Sequence, residues 1–349
     1  MLELLARCAQ VECGQLARVV GPTDPLTVID TLVERGIVDR VGARALSLAV
    51  DGQLDERDLR QFIDASAVQW QLNRTVLPTQ GAPLPLSLHT TLGRYTIRGV
   101  LGRGRGGDVY RSVHPQFGIP VALKVSANGT ALRAEATALA SIVHRNVVRL
   151  WDLEKVGDLT VLVTEAGGES LARVLSRRKQ LPLRRVFGIA RGILAGLVAV
   201  HRAGLLHCDV KPSNILIGRG APARLCDFGS ARRIGSPASN LLEGTWAYAA
   251  PECFEGQNSP KSDVYSLGLT LHHALTGQPP VTTVDFEHCR AAHQSLQLDP
   301  LHWTVRGLTR SASNLLRRMV ARDPENRPTA SETLTVARHA FELDDVIEN

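Results

Sequence analysis

The stretch HCDVKPSNIL, His207–Leu216, decides how the rest of the chain is read. It sets an Asp, a Lys two residues later and an Asn three beyond that within one short loop. Asp209 can accept or orient a hydroxyl proton, Lys211 can stabilise charge on a transferred phosphoryl group, and Asn214 can hold a metal ion. Cys208 lies among these groups and brings neither charge nor a strong donor. Downstream comes CDFGSA, where Asp227 offers a second metal-ligating oxygen. A hard divalent cation such as Mg2+ wants oxygen ligands and keeps water and phosphate in the rest of its shell, which suits an Asn and an Asp. Taken alone, Asp-Phe-Gly is a turn.

Outward from this loop, LGRGRGGDVY supplies Gly102, Gly104 and Gly107 in G-x-G-x-x-G spacing, followed by Val109. Glycines let backbone N–H groups approach phosphate oxygens closely. A dinucleotide site shares the spacing but needs strand, turn, helix. Here YTIRGVLG and DVYRSV predict two strands joined by the glycines. PVALKV predicts another strand, carrying Lys124, which in isolation is an ordinary surface lysine. ALRAEATALASIV predicts a helix bearing Glu135, which can orient Lys124, and VLVTEA predicts a further strand. From about Leu171 helices dominate. VFGIARGILAGLVAV, Val186–Val200, is too short for a membrane span, contains Arg191, and reads as a buried helix. A small sheet lobe followed by a larger helical lobe leaves a cleft, a natural ligand site.

The whole chain sets the bounds. Its 349 residues, 44% hydrophobic and 21% charged, suit a globular protein of two or three domains. A net charge of +6 is mild for this length and gives no reason to expect nucleic-acid binding. The six cysteines show no CxxC spacing, and MLELLARCAQ lacks a basic leader, so a reducing, cytoplasmic setting without a membrane span is expected. Residues 1–71 read as a small helical module, with Leu26, Ile29, Leu32 and Val33 at helical spacing and Asp55 able to cap a helix. It is expected to bind a partner, to dimerise, to act as an inhibitory flap, or to be a plain bundle. Residues 72–93, rich in Pro and Thr, read as a linker; 94–342 hold every chemical motif, and 343–349 form a tail.

Together the motifs resemble the protein kinase family, in the order Gly102–Gly107, Lys124, Glu135, Asp209–Asn214, Asp227–Gly229 and Ala250–Glu252, over about two-thirds of the chain. The resemblance implies an α+β, bilobal protein kinase fold preceded by a small all-α module. It implies ATP with Mg2+, or Mn2+ in its place, and protein substrates bearing Ser or Thr. Val109, Ala122 and Leu216 would sandwich the adenine, Thr164 would stand at its gate, and Glu165 and Gly167 would form the hinge. The hinge segment EAGGESL is about two residues shorter than the family pattern. Thr245 would bond Asp209 and Lys211, Asp263 would brace the catalytic loop, and Arg327 would pair with Glu252. Lys211 and GTWAYAAPE resemble the serine/threonine branch in a bacterial style, and disfavour a small-molecule kinase. A pseudokinase scaffold is the competing reading, but none of Lys124, Asp209, Asn214 and Asp227 is lost.

Two departures matter. Cys208 stands where much of the family has an Arg that grips a phosphorylated activation loop, so control through that grip is not expected. Arg232 and Arg233 are expected to lie on the mobile loop and to give it no anchorage. Cys208 and Cys226 flank the two Asp residues, either as a redox pair or as two small buried side chains. Gly106 replaces an aromatic residue often found at the tip of the glycine loop, which is expected to loosen the flap. Thr75, Thr79, Thr90, Thr91, Ser236 and Ser239 are expected autophosphorylation sites, being hydroxyls in flexible stretches.

Overall fold

A computed structural model describes residues 86, 88–104, 106–218, 220–236, 246–282, 286–296, 301 and 305–342, together with Leu46 and Ala49. The chain divides into two compact units, Met1–Ala82 and Pro83–Asn349. In the first, Leu46 and Ala49 are helical and Leu46 is buried. The rest of the expected helical module, most of the linker and the tail 343–349 lie outside the described residues.

The second unit opens with a short hairpin, β1 (Thr91–Leu92) and β2 (Tyr95–Thr96), paired Thr91↔Thr96 and Leu92↔Tyr95. Leu92 is buried, so the end of the stretch read as a linker packs as structure. Then come β3 (Gly99–Gly104), β4 (Gly107–Val113), β5 (Pro120–Ser126), helix α1 (Gly129–Ala140), β6 (Leu150–Val156) and β7 (Leu159–Glu165). The strands form one antiparallel sheet in the order β3-β4-β5-β7-β6. Alternation along each strand gives the sheet two faces. Tyr110, Val121, Leu123, Val125, Val161 and Val163 point to one face, where they close a core with Leu92, Tyr95 and Ile97.

Helix α1 starts at Asn128, whose side chain accepts from the Ala131 N–H. It buries Leu132, Glu135, Ala136 and Leu139, one stripe at helical spacing. The helix stops at Ala140, short of the expected Val143. Ser141 turns its hydroxyl and N–H back onto the Ala138 carbonyl, and β-branched Ile142 and Val143 follow.

After β8 (Glu169–Ser170) the chain is mostly helical: α2 (Leu171–Arg178), α3 (Leu183–Arg202), α4 (Pro260–Thr276), α5 (Phe286–Ser295), α6 (Arg310–Met319) and α7 (Ala330–Glu342). Short strands β9 (Leu205–Leu206), β10 (Ile215–Ile217), β11 (Arg224–Leu225) and β12 (Arg232–Arg233) fall between α3 and α4. One continuous core runs from α1 and β7, through Phe228, to α3, α4, α6 and α7, so both lobes share it. Helix α3 is the expected buried helix, and among the described residues no helix is long and apolar enough to cross a membrane.

The expectation for Arg232 and Arg233 is corrected. They form β12, paired with β9 as Arg232↔Leu206 and Arg233↔Leu205, and the Ile234 N–H continues the ladder to the Gly204 carbonyl. Backbone bonds tie the start of the activation segment to the strand that leads into the catalytic loop.

Candidate active site

The sheet face opposite its outer core looks into the cleft. Register places Val109 across from Lys124, Ala122 across from Thr164, and Lys124 across from Leu162, so Val109, Ala122, Lys124 and Thr164 share that face. Gly102 pairs with Val109 and Gly104 with Gly107, a strand-turn-strand hairpin. Gly107 sits at φ +127°, and a Cβ there would meet the Val125 carbonyl oxygen at 2.4 Å, so the flap requires glycine at this point. A Cβ on Gly106 would lie 3.0 Å from Lys124 Cε and Nζ, so the glycine at the tip lets the flap descend onto the lysine.

Lys124 Nζ donates to Glu135 Oε2 and to Asp227 Oδ1, both at 2.7 Å, joining β5, α1 and the Asp-Phe-Gly turn. Burial alone would lower the Lys124 pKa; Asp227 and Glu135 outweigh it and the net shift is upward. Burial raises the Glu135 pKa, while Lys124 outweighs burial at Asp227 and holds it below the usual carboxylate range. Asp227 takes φ +62°, which turns its carboxylate up to the lysine, while Phe228 packs into the shared core and meets His207 edge-on at 4.8 Å.

In the catalytic loop Lys211 Nζ lies 2.9 Å from Asp209 Oδ2, and Asn214 Nδ2 donates to the same oxygen at 2.8 Å and to the Asp209 carbonyl at 2.9 Å. Burial raises the Asp209 pKa, with Lys211 opposing. Asp263, in α4 and buried, accepts from the N–H groups of His207 and Cys208 and bonds His201 Nε2, all at 2.9 Å. Burial works against its charge, yet the His201 bond and neighbouring histidines hold its pKa low. Cys208 takes φ +61°, a left-handed backbone that a side chain resists, and Asp263 grips its amide and the one before it. Burial pushes the Cys208 and Cys226 thiols well up, with Asp263 and Asp227 adding to it, so neither has thiolate character. Cys208, Cys226 and Cys253 are in no disulfide.

At the far end of the cleft, Glu165 closes β7 and pairs with Arg224 at 3.1 Å. A Cβ on Gly167 would meet Leu216 Cδ1 at 2.9 Å, so the chain passes tightly against the strand carrying Leu216. Thr245 and Ser239 lie outside the described residues, as do Thr75 and Thr79. Thr91 is in a strand rather than a flexible stretch, and the Ser236 hydroxyl donates to the Arg233 carbonyl at 2.7 Å. Below, Arg327 forks onto Glu252, Nη1 to Oε1 at 2.6 Å and Nη2 to Oε2 at 2.7 Å, and stacks over the Tyr265 ring.

Residues 95–338 match the protein kinase domain. The chain belongs to the protein kinase family. Among its relatives, the serine/threonine-protein kinase PknL of Mycobacterium tuberculosis is 36% identical over 211 residues, 57% of this chain and 53% of the relative. PknE of the same species, also a serine/threonine-protein kinase, is 34% identical over 265 residues, 72% of this chain and 46% of the relative. A probable serine/threonine-protein kinase of Streptomyces coelicolor is 30% identical over 270 residues, 70% of this chain and 39% of the relative. The chain thus spans about half the length, or less, of these curated relatives.

One anchor of this kinase domain escaped the sequence reading. Asn146, after α1, donates to the Ala223 carbonyl at 2.7 Å and accepts from the Leu225 N–H at 2.8 Å. Helix α3 makes room for it with Gly192 and Gly196, where a Cβ would come within 2.8 Å of Asn146 Nδ2 and 2.9 Å of its carbonyl oxygen. The signal was present as Gly188, Gly192 and Gly196 at four-residue spacing, a stripe that lets another chain segment approach a helix closely.

Proposed function

We propose that this chain is an active serine/threonine protein kinase, moving the γ-phosphoryl group of ATP to a protein hydroxyl. The observation that carries the reading is Lys124 Nζ at 2.7 Å from both Glu135 and Asp227. That arrangement spans the two lobes, and a pseudokinase under no demand to bind phosphates has no need of it. Lys124 then holds phosphate oxygens beneath the glycine flap. Asp209 orients the attacking hydroxyl and takes its proton as the oxygen bonds to phosphorus and the ADP oxygen leaves. Lys211 offsets the charge on the moving group.

The donor set fits Mg2+. The Asn214 amide nitrogen is committed twice to Asp209, which leaves the amide oxygen, an acceptor for the Ser213 hydroxyl at 3.2 Å, as the ligand, and the Asp227 side chain is 44% exposed. Two oxygen ligands, from Asn214 and Asp227, suit an ion that completes its shell with phosphate and water. The ion would supply positive charge against the phosphate oxygens.

Serine/threonine choice rests on Lys211, on the GTWAYAAPE segment and on the likeness to serine/threonine-protein kinases. The cysteine usage favours a reducing, cytoplasmic setting. Residues 1–71 serve partner binding or dimerisation rather than chemistry. The test is incubation with labelled ATP, Mg2+ and a generic basic protein, beside Asp209→Asn. Label in the parent and none in the variant, with nucleotide binding retained in both, is the expected result. Equal turnover by Asp209→Asn would refute the assignment.

A further inference from the structure

The outer core of the sheet holds a group that apolar packing does not require. Asp108 is 2% exposed, one residue after flap Gly107 and on the face away from the cleft. Burying a carboxylate there costs more than burying a hydrophobic residue, so its retention needs a reason. Tyr110 Oη, fully buried two residues along the same strand, donates to Asp108 Oδ2 at 3.1 Å. The same Tyr110 oxygen accepts the Leu86 backbone N–H at 3.1 Å. Leu86 also packs on the outer core, in the segment through which the chain enters this unit. A polar chain therefore runs from Leu86 through Tyr110 to Asp108, next to the flap. The flap tip in turn stands close enough to Lys124 that a Cβ on Gly106 would lie 3.0 Å from Nζ. A small shift at the start of β4 changes the space above the lysine.

We propose that Tyr110 and Asp108 are positioning residues that set the height of the glycine flap over Lys124 and make it responsive to the segment entering at Leu86. This rests on the cleft being a nucleotide site. It answers the expectation of a loosened flap: with glycine at the tip, stiffness is supplied from behind the sheet.

Ser112 provides the comparison. It lies on the same strand, is fully buried in the same core, and donates to the Thr96 carbonyl at 2.8 Å, but sits at the end of β4 away from the flap. The experiment uses the full chain and reads the affinity for a fluorescent ATP analogue with Mg2+, kcat and KM for ATP, and Tm. Tyr110→Phe removes the bonds to Asp108 and Leu86 and keeps the ring. It is expected to raise Kd and KM for nucleotide three- to ten-fold with kcat within two-fold. Asp108→Ala should act in the same direction, and Asp108→Asn, which keeps an acceptor for the tyrosine, should recover part of the loss. Ser112→Ala should lower Tm and leave nucleotide affinity at the parental value. If Tyr110→Phe and Ser112→Ala lower Tm alike and both bind nucleotide as the parent does, the pair is merely structural and the proposal is overturned. A loss confined to kcat overturns it too. A parent that binds no nucleotide overturns the functional reading and this proposal with it, and the parent measurement tells the two failures apart.

Discussion

Asp263→Asn tests how the catalytic loop is held. The carboxylate accepts from the His207 and Cys208 N–H groups and bonds His201, each at 2.9 Å, in a buried site. An amide keeps one acceptor oxygen and turns an NH2 group toward one of those donors. A hydrogen bond to a charged group contributes about 1.5–3 kcal/mol, and a buried donor left unpaired costs about as much. The catalytic loop conformation should therefore lose roughly 2–3 kcal/mol, which at ~1.4 kcal/mol per factor of ten is about 30- to 150-fold in kcat. Nucleotide binding should change little, because Lys124 is held by other residues. Part of what Asp263 sustains is the left-handed backbone at Cys208, φ +61°. Such a conformation costs a non-glycine residue about 1 kcal/mol, so Cys208→Gly placed on Asp263→Asn should recover roughly five-fold in kcat. The assay is steady-state kinetics on the parent, both single variants and the double variant. If Asp263→Asn keeps kcat within three-fold of the parent, or if the glycine gives no recovery, Asp263 does not brace the loop in this way.

Other outcomes follow from the same accounting. Arg327→Ala leaves Glu252 buried without its fork and should cost about 3–5 kcal/mol, seen as a Tm drop on the order of 10 °C, whereas Arg327→Met with Glu252→Leu should lose much less. Burial lowers the His272 pKa from 6.5 to about 4, and its Nδ1 is buried without a partner. The unfolded chain takes up that proton first, so stability is full above pH 6.5 and falls as pH drops toward 4, by at most about 3 kcal/mol; urea midpoints at pH 7 and pH 5 should differ less in His272→Leu. Cys208→Arg should make activity newly sensitive to phosphorylation of the activation segment, while Ser236→Ala with Ser239→Ala should leave the parental chain within a few-fold; a large loss in that double variant would show phosphate control without the arginine.

The motifs were legible because phosphate chemistry constrains residue type and order at once. Glycines at a hairpin, a strand lysine, a helical glutamate and the Asp-Lys-Asn loop must fall in sequence if they are to meet across a cleft. What single residues could not show was their partner, since Lys124 and Asp227 are 103 positions apart. Strand β6 was missed because Leu150–Val156 mixes charged and apolar residues without strict alternation. The better signal was its two-residue turn, Gly157-Asp158 with Gly157 at φ +59°, between β6 and β7. The end of α1 was overrun because Ile142 and Val143 continue the apolar pattern after Ser141 has closed the helix. Asp108 and Tyr110 were read only as members of a strand, because pattern gives the face of a residue but not the reason a carboxylate is tolerated there.

Cys208 is the sharpest departure from the family, and the fold shows why it is tolerated. An arginine at that position gains its value by gripping phosphate, which requires charge and a forked donor. The Cys208 thiol has neither, and burial with Asp263 beside it keeps the proton on. Anchorage of the activation segment comes instead from the backbone: Arg232 and Arg233 pair with Leu206 and Leu205, and the Ile234 N–H reaches the Gly204 carbonyl at 2.9 Å. Backbone pairing needs no particular side chain at 208 and no phosphate to complete it. The neighbouring amides of the catalytic loop are held from the other side by Asp263. With the loop fixed by α4 and the segment fixed by β9, the position between them is released from the duty of linking the two. A small neutral side chain then fits the half-buried, left-handed site without bringing a charge into it.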